Sequence, residues 1–365
     1  MRSSRSRIYR WLFALMLVGA ITAAVLRAPS AIADFTSAFE HLRVTRLPWL
    51  LAALGAELVS FVAYAWLQAV LLRAGAERVR ITTLLRLSIA SSGLRDLLPA
   101  GVVPSSGWLL AEYRRLGVTS ALALYVVLAS GFVATVTILA MLLVAASIAG
   151  VISLALLIAS AVVLVGGSIG FVALIHRLSG ATRPRSRRRG RLAHLLERVV
   201  DVAVEVGQFR SGFREGGFAF AASFGNWAAD LVCLIAAFAM LGVSVPWRAL
   251  LFGYSAAQLA GSIFPLPGGL GAVEGGLVGA FDATGVPAGS ALAVALVYRI
   301  ITYWVVAAMG GLELVFLARR PPEPAEHLPK TRDRKPRSAR RHRAAKPATS
   351  RQSRGSGETR PRTRA

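Results

Sequence analysis

Apolar runs long enough to cross a bilayer recur along this chain, each closed by a charged or Pro/Gly-rich stretch. They fall at about 11–26, 48–72, 118–146, 148–175, 217–241 and 288–317, most near or above the roughly 20 residues that a helix needs to span hydrocarbon. Lipid offers no partner to backbone N–H and C=O groups, so each run must satisfy its own, and a helix does so. The runs do not alternate polar with apolar residues, which argues against a transmembrane β-barrel. The fold class expected is therefore all-α and integral to the membrane.

Charge supports the same reading. Only 16% of residues are charged and 55% are hydrophobic, against about 25% charged in a soluble protein. The formal net charge of +24 would suggest nucleic acid in a soluble chain. Here Lys and Arg collect between and after the apolar runs, the positive-inside pattern, so no nucleic-acid partner is expected and both termini are placed in the cytoplasm. Arg2, Arg5, Arg7 and Arg10 precede the first run, and Ala31-Ile32-Ala33 after it resembles a cleavage site. A first span and a cleavable signal peptide both fit, and the downstream reading is the same for either. The single cysteine, Cys233, allows no intrachain disulfide and no Cys-based metal site, and the five histidines do not cluster. No metal, cofactor or catalytic residue is expected.

Residues 1–318 form the expected membrane domain. Within it, 176–216 reads as a cytoplasmic linker. Its basic part holds Arg183, Arg185, Arg187, Arg188, Arg189 and Arg191, and an amphipathic helix from Leu192 to Phe213 follows at the membrane surface. Residues 319–365 are rich in Arg and Pro and poor in large apolar residues, the composition of a disordered basic tail. Linker and tail both suit anionic lipid.

Two segments break the helical pattern. The first is apolar up to Leu98, breaks at Pro99-Ala100-Gly101 and again at Pro104, then continues as an amphipathic run from Trp108 to Leu116. Arg73, Arg78 and Arg80 before it and Arg114 and Arg115 after it place both flanks inside, so a re-entrant helical pair is expected. The second runs from 249 to 264 into Pro265-Leu266-Pro267-Gly268-Gly269 and resumes as a short helix at about 271–283. Together with the spans, this describes a polytopic bundle of about seven to eight spans with two Pro/Gly-broken re-entrant segments.

The segments echo one another. Pro99 lies 18 residues before Gly117, and Pro267 lies 18 residues before Gly285; each glycine is followed by Val and a long span. The preceding spans, 48–72 and 217–241, run in opposite directions under the charge rule, which suggests an inverted repeat. Paired interrupted segments in inverted halves are the best sequence pointer to a transporter's binding site.

Charges inside apolar spans cost roughly 2.5–3.5 kcal/mol at mid-helix, so each needs a reason. They are Glu57, Arg95, Asp96, Asp230, Glu274, Asp282, Arg299 and Glu313. The fork of Arg299 suits a lipid phosphate or an internal ion pair with Glu57, Asp230 or Glu274. Glu274 opens the helix after the second break, where it can complement the helix dipole, hold a cation or proton, or pair with Arg299. Gly268, Gly269 and Gly271 either break the helix or let the backbone approach an anionic head group. Arg95 and Asp96 precede the first break; as adjacent residues they point to different faces, which makes a mutual pair less natural and leaves Arg95 to reach the cavity. The candidate lipid-binding set is Arg95, Pro99, Gly101, Pro265, Pro267, Gly268, Gly269, Gly271, Glu274 and Arg299, with Glu57, Asp96 and Asp230 as intramembrane charge partners.

Pro265-Leu266-Pro267-Gly268-Gly269-Leu270-Gly271-Ala272-Val273-Glu274, and the stretch Ala293 to Trp304 with Tyr298-Arg299, resemble the lysylphosphatidylglycerol synthase transmembrane, or flippase-like, family. Leu97-Leu98-Pro99-Ala100-Gly101 is similar to that family's first break, although Val102 and Val103 stand where members often have further glycine. The resemblance covers roughly residues 8–318 and implies the handling of an anionic or aminoacylated phospholipid or a polyprenyl-phosphate lipid. The aminoacyl-transferase domain of the best-known members has no counterpart here, so synthase activity is not implied. Two further readings stay open: a membrane-embedded transferase acting on a lipid phosphate, though no close pair of acidic residues of the DxD type is visible, and a scaffold that recruits partners with its tail.

Overall fold

The computed structural model describes residues 46–180, 212–264 and 266–319, with positions 202, 204 and 206–209 between them. The expected first span at 11–26, the cleavage-site motif, most of the linker, Pro265 and the tail lie outside the described residues. The protein is an all-helical, multi-pass membrane bundle with no strand among the described residues.

Its helices are α1 (Leu47–Leu72), α2 (Ile81–Leu97), α3 (Val102–Arg115), α4 (Ser120–Ile148), α5 (Leu154–Gly180), α6 (Phe213–Leu241), α7 (Trp247–Ile263), α8 (Ala272–Asp282), α9 (Ala288–Arg299) and α10 (Val306–Ala318). A π-helical turn, Ile300–Val305, joins α9 to α10. Among the described residues, five stretches are long and apolar enough to cross a bilayer: Leu47–Gly75, Ser120–Ile148, Leu154–Arg177, Phe213–Leu241 and Ala288–Ala318. Seven to eight were expected. The difference arises because one expected span is not described and the apolar parts of the broken segments, α2 and α7, reach only 17 residues each.

The helix starts and stops follow local chemistry. Pro48 occupies the first turn of α1, where a missing N–H costs nothing. The Thr119 side chain accepts the N–H of Leu122 and caps α4. Gly242 ends α6 in the left-handed region at φ +68°. Pro104 does not break the chain a second time as expected: α3 begins at Val102, so the proline falls in its first turn, where the ring is tolerated.

The echo in the sequence is an echo in the backbone. Ala100 (φ +50°) and Gly268 (φ +53°) each follow their proline in a left-handed conformation, and Gly117 (φ +83°) and Gly285 (φ +89°) match in the same way. Helix order repeats as well: long helix, 17-residue helix, break, short helix, long span. The packing is reciprocal. α1 lies on α6, α2 packs against α10 of the second unit, and α7 packs against α4 of the first. Each unit has its own apolar core, around Leu71, Leu84, Tyr113 and Leu122 in the first and Phe238, Tyr254, Leu277 and Phe281 in the second. The first core also encloses a polar chain, in which the Tyr113 hydroxyl donates to Gln68 Oε1 at 2.6 Å and Gln68 Nε2 donates to Ser88 Oγ at 3.2 Å.

The α2–α10 contact is built on glycine. A Cβ on Gly310 would stand 2.6 Å from both the Gly93 Cα and the Ile89 carbonyl oxygen. Nearby, Arg86 of α2 pairs with Glu313 of α10. Gly310→Ala should therefore push the helices apart and cost about 1–3 kcal/mol, the usual range for overpacking, read as earlier thermal unfolding of the detergent-solubilised protein. α5 is different: its apolar surface is open on nearly every side, as in a helix facing lipid, and it touches α4 through the stacked rings of Phe132 and Phe171.

Candidate functional site: a polar cavity between two broken helices

Both breaks end their first helix by turning the chain to an extended conformation, at Leu98 (ψ 141°) and Phe264 (ψ 131°). This leaves the last carbonyls of α2 and α7 without helical partners. In the first break, Gly101 lies so close to the last turn of α2 that any side chain there would strike the Arg95 carbonyl. In the second, a Cβ on Gly268 would strike the ring of Tyr303, so the left-handed turn and the close approach both require glycine at that position. Gly269 lies similarly against the backbone of Gly261, whereas the space beside Gly271 (φ +82°) is open.

Arg299 and Glu274 hold the second break together. Glu274 stands in the first turn of α8 and reaches back to accept the Gly271 N–H at 2.6 Å, which caps the helix. Its other oxygen accepts Nε of Arg299 at 2.7 Å. Arg299 also donates from Nη2 to the Gly268 carbonyl at 2.7 Å and sits 4.7 Å above the ring of Tyr303. Tyr303, inside the π-helical turn, donates its hydroxyl to the Asp96 carbonyl at 3.0 Å and so takes up an orphan carbonyl at the end of α2. The two breaks thus meet: Asp96 Oδ1 stands 3.3 Å from the position that a Gly268 Cβ would occupy. Of the partners expected for Arg299, Glu274 is the one engaged.

Between the breaks lies a cavity of about 550 Å³. Five charged side chains line it: Glu57, Arg95, Asp96, Asp230 and Arg299. Arg95 does pair with its neighbour, Nε to Asp96 Oδ1 at 3.2 Å, contrary to expectation, because the long arginine stem folds back where α2 ends. Its side chain is still 52% exposed, against 9% for Arg299, so Arg95 is the guanidinium open to the cavity. On the opposite wall, Asp230 Oδ2 accepts the Tyr254 hydroxyl at 2.6 Å, Gln258 Nε2 at 2.7 Å and the Tyr298 hydroxyl at 2.8 Å. Asn226 bridges α6 to α1 through Ser60. Glu57 makes no hydrogen bond among the described residues, and its Oε2 is fully enclosed.

Of the expected set, Arg95, Gly101, Gly268, Gly269 and Arg299 line the cavity, together with all three charge partners. Glu274 stands behind Arg299, Pro267 opens the short 3-10 turn of the second break, and Gly271 caps α8. Pro99 precedes the left-handed Ala100. Asp282 closes α8 and Glu313 is claimed by Arg86. Sequence reasoning passed over Tyr254, Gln258, Tyr298, Tyr303 and Asn226, whose hydrogen bonds hold the helices around the cavity together. The available signal was polar side chains four residues apart within apolar helices, as in Tyr254 and Gln258.

The chain is thus a multi-pass helical membrane protein whose two broken helices frame a charged cavity. The model of the family described as "Lysylphosphatidylglycerol synthase TM region" matches residues 11–310, and the chain belongs to that family. It is also similar to three proteins of Methanothermobacter thermautotrophicus strain Delta H, each called a UPF0104 membrane protein. One is 34% identical over 124 residues, 33% of this chain and 37% of the relative. Another is 34% identical over 101 residues, 28% of this chain and 29% of the relative. The chain thus spans between 26% and 37% of the length of the curated relatives it matches.

Proposed function

We propose that this protein moves a phosphate-bearing lipid between the leaflets of the inner membrane: an anionic or aminoacylated phospholipid, or a polyprenyl phosphate. The observation that carries this reading is the two-sided lining of the cavity. Arg95 offers a guanidinium to a phosphate, while Val102, Val103, Ile263 and Phe264, on the flanks of the two breaks, present 51–77% of their surface outward and also line the cavity. An amphiphile with its head at Arg95 would lay its chains against that apolar rim. In this reading the broken segments are re-entrant, the repeats are inverted and both termini are cytoplasmic, so exchange between two mirrored packings opens the cavity to either leaflet in turn. Membership of the family supports the reading.

The test is reconstitution in phosphatidylcholine vesicles containing a nitrobenzoxadiazole-labelled phosphatidylglycerol. Label in the inner leaflet should become reachable by a membrane-impermeant quencher faster than in protein-free vesicles. A chain lacking residues 320–365 should retain that rate. Loss of the rate with the tail would instead favour the scaffold reading, and an unaltered leak in the full chain would refute transport.

A further inference from the structure

The charges in the cavity do not balance. Glu274 matches Arg299, which leaves Arg95 facing three carboxylates, those of Glu57, Asp96 and Asp230. Asp96 is engaged by Arg95, and Asp230 is fixed by three donors. Glu57 is left over. It projects from α1, where the charged groups it feels are Asp230 of α6 and Arg95 and Asp96 of α2, with Tyr254 of α7 and Tyr298 of α9 behind Asp230. A lipid phosphate entering beside Arg95 would add a further negative charge to a cavity already short of positive charge, and uncompensated charge is costly wherever the lining shields it from water.

We propose that Glu57 is a proton-binding site that couples the movement of an anionic lipid to protons, one proton per lipid. With the cavity empty, the Glu57 carboxylate shares with Asp96 and Asp230 the one positive charge of Arg95, which is in contact with Asp96. When a lipid phosphate takes Arg95, Glu57 binds one proton from the adjoining water, and the loaded cavity gains no net charge. When the lipid leaves, the proton leaves with it into the same compartment. A proton fits better than a metal ion. The three groups around Asp230 Oδ2 point hydrogens rather than lone pairs at it, and no group of three His, Cys, Asp or Glu side chains suited to a metal occurs among the described residues. The inference rests on the lipid-moving reading and adds its driving ion.

A monoanionic lipid moving with one proton is electroneutral. In the labelled phosphatidylglycerol vesicles, each unit of imposed pH gradient should sustain about a tenfold leaflet asymmetry of label, since a unit of pH and a factor of ten in concentration are equal in free energy. A potassium diffusion potential alone should sustain none. A pH dye should record one proton entering for each labelled lipid moved. In Glu57→Gln the asymmetry should fall to one, and the rate of equilibration should lose its pH dependence. Wild-type protein that equilibrates the label with no asymmetry and no proton uptake would overturn the coupling and leave lipid movement standing. Wild-type protein that moves no label under any gradient would overturn both. Because proton counting uses the wild-type chain, the outcome does not depend on whether the variant folds.

Discussion

Arg299→Ala should destabilise the protein by about 3–5 kcal/mol, the cost typical of breaking a buried ion pair from one side. The arginine makes three contacts at once: Glu274, the Gly268 carbonyl and the face of Tyr303. Without it the Gly268 carbonyl loses its donor, and Glu274 keeps only the Gly271 N–H. The second break should loosen before the rest of the bundle. Thermal unfolding in detergent and hydrogen exchange at 264–274 measure the two effects separately. In a double-mutant cycle with Glu274→Gln, the losses should fall well short of additive, because the same interaction is removed twice. Additive losses would mean that the pair contributes nothing as a unit. Any loss of transport in Arg299→Ala would then follow from a disordered wall rather than from a missing lipid contact.

Arg95→Ala should do the reverse and lose transport with less effect on the fold. The guanidinium is half exposed and contributes one long bond, to Asp96. A hydrogen bond to a charged group is worth about 1.5–3 kcal/mol, so the rate of phosphatidylglycerol movement should fall by roughly tenfold to a hundredfold. Asp96, 5% exposed, is left without a cation in that variant. Arg95→Lys guards against this: it keeps a positive charge beside Asp96 but gives up the two-pronged grip on a phosphate. The lysine variant should unfold like the parent and still move lipid more slowly. Equal rates in all three proteins would remove Arg95 from the mechanism.

The membrane architecture was legible because hydrocarbon imposes a length and a composition on each span. The runs at 48–72, 217–241 and 288–317 coincide with helices to within a few residues, and the Pro/Gly clusters at 99–101 and 267–269 break the chain where they stand. The repeat was visible as a spacing of 18 residues before it was visible as matching left-handed residues. Partner choice was not legible. Arg299 had three plausible carboxylates, and which of them it meets depends on helix rotations that no local pattern specifies. The assignment of the open guanidinium to Arg95 follows from burial, a tertiary quantity. The π-helical turn at 300–305 left no mark in the composition, since Ile300-Ile301-Thr302-Tyr303-Trp304-Val305 reads as ordinary span. It is nonetheless what carries Tyr303, the link between the two breaks.

The exchange of helices between the units has a consequence for engineering. Each interrupted helix is sheltered by the final span of the opposite unit, α2 by its last helix α10 and α7 by α4. A polypeptide carrying one unit alone would expose its fracture to fatty-acyl chains, with unpaired peptide groups and no shelter. Two such halves would be stable only by embracing each other, so co-produced fragments severed between 180 and 212 should reassemble as a noncovalent pair.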